Sequence, residues 1–207
     1  MGAGLGGGSS NAASTLLALN SLAGDILSNN ELLAMAASLG SDVPFFINGG
    51  AAWVTGRGEI IETLPPPFAY RVLLFMPEFR SNTTEAFKFL DQYLEKNPDY
   101  LLTERKETDL LKKSLYLPPK DWPYTYDFLP ALPEKKKYRI ILKSLLDYGA
   151  EFAGLSGSGS CCFGIFHTDQ AVYAAKKALS AGKKPIIKQN FIQNTFFLAS
   201  KAIPVLK

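Results

Sequence analysis

The chain opens on Gly2-Ala3-Gly4-Leu5-Gly6-Gly7-Gly8 and passes straight into Ser9-Ser10-Asn11 and Ala12-Ala13-Ser14-Thr15-Leu16-Leu17. A glycine loop is the hinge between two elements, because glycine readily enters the left-handed conformations that tight turns need. Ser and Asn side chains accept hydrogen bonds from the free amides of a helix's first turn. Alanine and leucine favour the helix itself, so the pattern predicts a helix over 10–22. Three readings of the loop follow. In the first it is a phosphate cradle, with backbone amides and a helix N-terminus converging on an anion. In the second, Gly2, Gly4 and Gly7 form the G-x-G-x-x-G of a dinucleotide site. That site needs a strand before it and an acidic residue about 20 positions on; Asp25 offers itself, but no second parallel strand is visible there. In the third the loop is a turn with no ligand. A Walker loop is excluded, since no Lys-Ser or Lys-Thr pair closes it. No strand stands ahead of the glycines, so the hinge's first element is expected to lie outside this sequence.

Further along, Leu32, Leu33, Ala36 and Leu39 share one face of a predicted helix over 30–39 that ends at Gly40. Pro44 is expected to bar a helix after it, which puts Asp42 on a connection to an extended segment, as a partly buried carboxylate. Residues 51–54 and 59–62 read as strands around Gly56-Arg57-Gly58. Leu64-Pro65-Pro66-Pro67 is stiff, lacks donors at its prolines and marks a domain boundary. Beyond it come a strand over 71–76, a helix over 84–96 with Phe87, Leu90 and Leu94 on one face, and a proline-rich aromatic stretch over 97–133. A helix over 138–148, strands over 151–155 and 160–166 around Gly157 and Gly159, a helix over 170–180 closed by Ala181-Gly182, and a strand over 191–198 complete the chain. That order is the split βαβ of a ferredoxin-like sandwich.

Composition narrows the function classes. Hydrophobic residues make up 47% and charged residues 20% of 207, as in an ordinary folded domain. No apolar run approaches the about 18 residues of a membrane span, and no basic-then-apolar leader is visible. Net charge is +3 with only Lys135-Lys136-Lys137 clustered, read as a solvated helix start. Neither a nucleic-acid nor a membrane partner is expected. Cys161 and Cys162 are adjacent, without metal spacing, and read as reduced thiols on a buried strand. A reducing cytoplasm, or a plastid stroma in a plant or alga, fits. His167 is the only histidine; no acidic partner is evident and a surface turn is expected.

The string from Gly2 to Ala13 resembles the phosphate-binding motif of the GHMP kinases. Its extra glycine and Ser-Ser-Asn-Ala-Ala ending resemble the members acting on 4-diphosphocytidyl-2-C-methyl-D-erythritol. Leu39-Gly40-Ser41-Asp42-Val43-Pro44-Phe45-Phe46, then Gly49-Gly50-Ala51-Ala52 and Gly56-Arg57-Gly58-Glu59, are similar to the same members, and Gly154-Leu155-Ser156-Gly157-Ser158-Gly159-Ser160 resembles the family's third motif. Tyr126-Asp127 stands where the family has Asn-Asp, so Tyr126 departs from it.

The resemblance implies an α+β fold in two domains. Residues 1–67 would be the C-terminal part of the nucleotide-binding N-domain (ribosomal protein S5 domain 2-like), and 68–207 the ferredoxin-like domain. It implies ATP held over Met1, Gly2, Ala3, Gly4, Leu5, Gly6, Gly7, Gly8, Ser9, Ser10 and Asn11, with Mg2+, and Asp42 near the reacting hydroxyl. The implied reaction is transfer of the γ-phosphoryl group to the 2-hydroxyl of 4-diphosphocytidyl-2-C-methyl-D-erythritol, in non-mevalonate isoprenoid precursor synthesis. A mevalonate- or homoserine-type kinase, or a non-catalytic phosphate-binding relic, remains the alternative. Glu31 lies eleven positions before Asp42, the separation of the magnesium-binding glutamate in mevalonate and homoserine kinases. Ser10 and Glu31 therefore form a candidate metal pair, against a plain helix-start reading of Glu31. The family's lysine motif and cytosine pocket are not in this sequence. The chain as given is expected to bind nucleotide weakly and not to turn over.

Overall fold

The computed structural model describes residues 3–67, 70–100 and 108–180. The strand expected over 191–198, the helix end at Ala181-Gly182, and Met1 and Gly2 of the loop lie outside the described residues. Residues 6–67 form one unit; residues 3–5 group with 70–180 in a second.

In the first unit, α1 spans Gly7–Leu22, α2 Asn29–Leu39 and α3 Val43–Asn48, followed by the antiparallel hairpin β1 (Ala51–Thr55) and β2 (Ile60–Leu64). The core is small: Ala13, Leu32, Ala36, Val43 and Ile47, flanked by Leu16, Leu17, Leu27, Leu33 and Phe46. The start of α2 lies at Asn29 because Ser28 caps it with Glu31 in a reciprocal box. The segment after Asp42 is helical, not extended. Pro44 occupies the second helical position, where its missing N–H has no acceptor to lose.

In the second unit, the sheet has strand order β3-β5-β4, with β3 Arg71–Phe75, β4 Phe152–Leu155 and β5 Cys162–Phe166, each pair antiparallel. Because β5 runs antiparallel between them, β3 and β4 are parallel, which is the split βαβ arrangement. The whole is an α+β architecture. The helices are α4 (Thr83–Lys96), α5 (Thr108–Ser114), α6 (Lys135–Asp147) and α7 (Asp169–Ser180), with a 3-10 turn at Pro119–Asp121. Side chains alternate across a strand. Leu73, Phe75, Leu155, Cys162 and Phe166 pack in one core with Tyr138, Ile141 and Leu145 of α6 and Val172, Ala175 and Leu179 of α7. Phe152 and Phe163 instead meet the aromatic segment carrying Trp122, Tyr124 and Tyr126. On α4 the buried position is Ala86, while Phe87 stays 53% exposed and meets Phe128 edge-on at 5.0 Å. Lys135 opens α6, and Lys137 pairs with Glu134 at 2.7 Å on the surface, so the lysine triplet is a solvated helix start.

Candidate functional site

The glycine run divides between the two units. Ala3 and Gly4 are bound by the turn between β4 and β5: Cys161 N–H donates to the Ala3 carbonyl at 3.1 Å and Ser156 Oγ to the Gly4 carbonyl at 2.6 Å. Gly4 has φ 71°, and a Cβ there would collide with the Ser156 carbonyl oxygen. Here glycine is compulsory. The turn itself closes through Ser156 N–H to the Cys161 carbonyl and Gly159 N–H to the Ser156 carbonyl, both at 2.9 Å.

From Gly6 onward the run belongs to α1. Gly6 takes the left-handed N-cap conformation, and a Cβ on it would come within 2.8 Å of the Phe46 ring. The helix therefore starts earlier than residue 10. Ser9, Ser10 and Asn11, expected as caps, lie inside it, and no side chain caps its amides. Ser10 N–H reaches the Gly6 carbonyl at 2.8 Å, whereas Gly7, Gly8 and Ser9 precede the first intrahelical bond. Cβ atoms on Gly7 and Gly8 would meet nothing within 4 Å. No acidic residue stands in this first turn. The arrangement is open, donor-rich and carries the positive end of a helix dipole.

Asp42 is the N-cap of α3, yet its side chain makes no capping bond. It is exposed rather than partly buried, because Val43 and Pro44 take the inward positions. The hairpin turn supports it from behind: Gly58, at φ 116°, lies so close that a Cβ would strike the Ser41 carbonyl. Glu31 is engaged otherwise. Its Oε2 accepts from Ser28 N–H at 2.8 Å and Ser28 Oγ at 2.7 Å, and the Ser28 side chain and then its backbone hold the Glu31 carboxyl below its ordinary range. Among the described residues no three His, Cys, Asp or Glu side chains cluster as a metal site.

The dinucleotide reading fails. Asp25 follows α1 in a left-handed turn, and the described strands of this unit are an antiparallel hairpin. His167 does have an acidic partner, Glu151 at 2.9 Å, which sequence inspection missed because the two stand on separate strand ends. Cys161 and Cys162 are buried free thiols, and burial pushes Cys161 up to about 11. Tyr126 lies over Gly154, where a Cβ would collide with its hydroxyl, and burial raises its pKa far above the ordinary tyrosine value. No described helix is long and apolar enough to cross a membrane.

Two family models match: the GHMP kinases N-terminal domain over residues 1–50 and the GHMP kinases C-terminal domain over 127–184. The chloroplastic 4-diphosphocytidyl-2-C-methyl-D-erythritol kinase of Arabidopsis thaliana is 42% identical over 172 residues, 81% of this chain and 44% of that one. The enzyme of that name from Protochlamydia amoebophila is 37% identical, over 86% of this chain and 57% of its own. The chain thus spans about half the length of the curated relatives it matches. A crystal structure of 4-(cytidine 5'-diphospho)-2C-methyl-D-erythritol kinase superposes with a TM-score of 0.68 at 27% identity, covering 87% of this chain and 63% of the other. Homoserine kinase from Cytophaga hutchinsonii shares the fold, with a TM-score of 0.62 at 21% identity over 92% of this chain and 64% of that one.

Proposed function

The chain belongs to the GHMP kinases, and from that membership we propose that the protein transfers the γ-phosphoryl group of ATP to the 2-hydroxyl of 4-diphosphocytidyl-2-C-methyl-D-erythritol. The observation that carries this reading is the first turn of α1. In the same unit Ser28 and Glu31 cap the first turn of α2; α3 and α6 also lack a side-chain cap, but neither follows a run of glycines. The first turn of α1 is left uncapped and uncharged behind a run of glycines. A phosphate supplies the acceptors and the negative charge that such a turn lacks. The cytidyl acceptor is favoured by the relatives' names and by the 35–42% identity of those relatives.

In the proposed step the acceptor's 2-hydroxyl oxygen bonds to the γ-phosphorus as the bridge to the β-phosphate breaks, releasing ADP. Asp42, whose carboxylate is not spent on capping α3, orients the hydroxyl and takes its proton. Most of the acceleration comes from positioning and from charge stabilisation on the transferred group. A magnesium ion would arrive with the nucleotide phosphates, adding charge neutralisation. Ser10, in the uncapped turn, fits as its ligand; Glu31, held by Ser28, does not.

The test is phosphoryl transfer from γ-labelled ATP, offered the cytidyl acceptor, mevalonate and homoserine side by side, in a form of the protein that turns over. Transfer to mevalonate or homoserine in place of the cytidyl compound overturns the assignment. In the same assay Asp42→Asn should lower kcat by about 100-fold or more with ATP affinity little changed. An unchanged kcat would make Asp42 a helix-start residue only.

A further inference from the structure

Residues 1–67 contain a single cationic side chain, Arg57, against the carboxylates Asp25, Glu31, Asp42, Glu59 and Glu62. Arg57 stands on the turn between β1 and β2, and that turn is built against the residue preceding Asp42. Gly58 fits under the Ser41 carbonyl only because it lacks a Cβ. On the other side, the Glu59 carboxylate accepts the Arg57 backbone N–H at 2.6 Å and fills the space a Cβ on Gly56 would need. The backbone of the turn is therefore fixed on both sides.

The guanidinium is not. Arg57 is exposed, and among the described residues it takes part in none of the ion pairs. Its acidic neighbour is occupied elsewhere: Glu59's own backbone N–H and then that of Arg57 hold its carboxyl below the ordinary range, with the Arg57 charge the last of the causes. A free arginine on a rigid turn, against the segment carrying the candidate base, is suited to bidentate recognition of phosphate. Phosphoryl transfer gathers negative charge on the reacting group beside Asp42, and a cation carried on that rigid turn opposes it.

We propose that Arg57 binds a phosphate group brought to Asp42, either the γ-phosphate of ATP or the diphosphate of the acceptor. This rests on the reading of Asp42 given above. The test is equilibrium titration, without turnover, of the wild-type chain, Arg57→Gln and Arg57→Lys with ATP and, separately, with the cytidyl acceptor. Losing one charge-assisted contact should weaken binding of one ligand by about 10–100-fold in Arg57→Gln, less in Arg57→Lys, and reduce the salt dependence of binding. Whichever ligand loses affinity is the one that Arg57 holds, and the melting temperature should stay constant. Arg57→Gln binding both ligands like wild type overturns the assignment, as does a fall in affinity matched by a fall in melting temperature. If wild type binds neither ligand, the phosphate site read at the start of α1 fails and takes this one with it.

Discussion

Gly4 and Gly8 belong to one run of glycines, yet their surroundings are opposite. At Gly4 the positive φ and the Ser156 carbonyl leave no room for a side chain, while at Gly8 a Cβ would sit in open space inside a helix. Structure alone gives no reason for glycine at position 8, and alanine there should stabilise α1 by about 0.5–1 kcal/mol. The phosphate proposed at the helix start would give the reason. Gly8→Ala should thus raise the melting temperature while weakening ATP binding about tenfold or more, since 1.4 kcal/mol of lost approach is a factor of ten. A thermal melt and an ATP titration on the same variant check it; unchanged affinity would remove the phosphate from Gly8. The glycine run was legible because its members are adjacent in sequence, but Gly7 and Gly8 open α1 rather than forming loop. The partition between compulsory and permissive positions was not, because it depends on Ser156 and Phe46, residues far along the chain. Asp42 was legible by its place between a helix and a proline; its exposure was not.

At the scale of elements, local rules located most of the described helices and strands to within a few residues, left α5 unplaced in the aromatic stretch, and failed where a short-range signal had two uses. Ser9-Ser10-Asn11 reads as a cap, but Gly6 starts α1 before them. Pro44 reads as a helix stop and is a helix start. Glu31 reads either as a metal ligand by its distance from Asp42 or as a helix-start residue, and as the fourth member of Ser28-Asn29-Asn30-Glu31 it makes a capping box. The last case has a pH signature. Because the folded Glu31 carboxyl is held below its ordinary range, its contribution is present above the unfolded carboxylate range and lost as pH falls through the folded value. Ser28→Ala should destabilise α2 by about 1 kcal/mol at neutral pH and flatten part of the acid limb of the stability profile. Denaturant midpoints of both forms between pH 3 and 7 measure this. An acid limb identical in the two would show that the box contributes nothing, and Glu31 would return as a free carboxylate.

At the scale of the whole molecule the two units differ in how much they bury. Among the described residues, fourteen buried ones make the core of the second unit, including Phe75, Tyr138 and Phe166, whereas five, two of them alanines, make that of the first. The first unit also leaves Leu22 85% and Ile26 73% exposed. Sequence composition could not separate these cases, because both halves are rich in apolar residues; what differs among the described residues is that β3, β4 and β5 supply buried side chains to the second core, whereas β1 and β2 supply none to the first. Burial of apolar surface is the main favourable term in folding, so the first unit should open locally at lower free energy than the second. Amide hydrogen exchange on the intact chain should show α1, α2 and α3 exchanging well before β3, β5 and α6. The α1 start, proposed to hold the phosphates, lies in the weaker unit, so ligand binding should act there most. ATP at about 100 times its Kd adds about 2.7 kcal/mol to states that bind it, enough to slow exchange in α1 and α3 by up to about 100-fold where opening abolishes the site. Protection confined to the second unit on adding ATP would mean that the α1 start does not hold the phosphates, whatever family the chain belongs to.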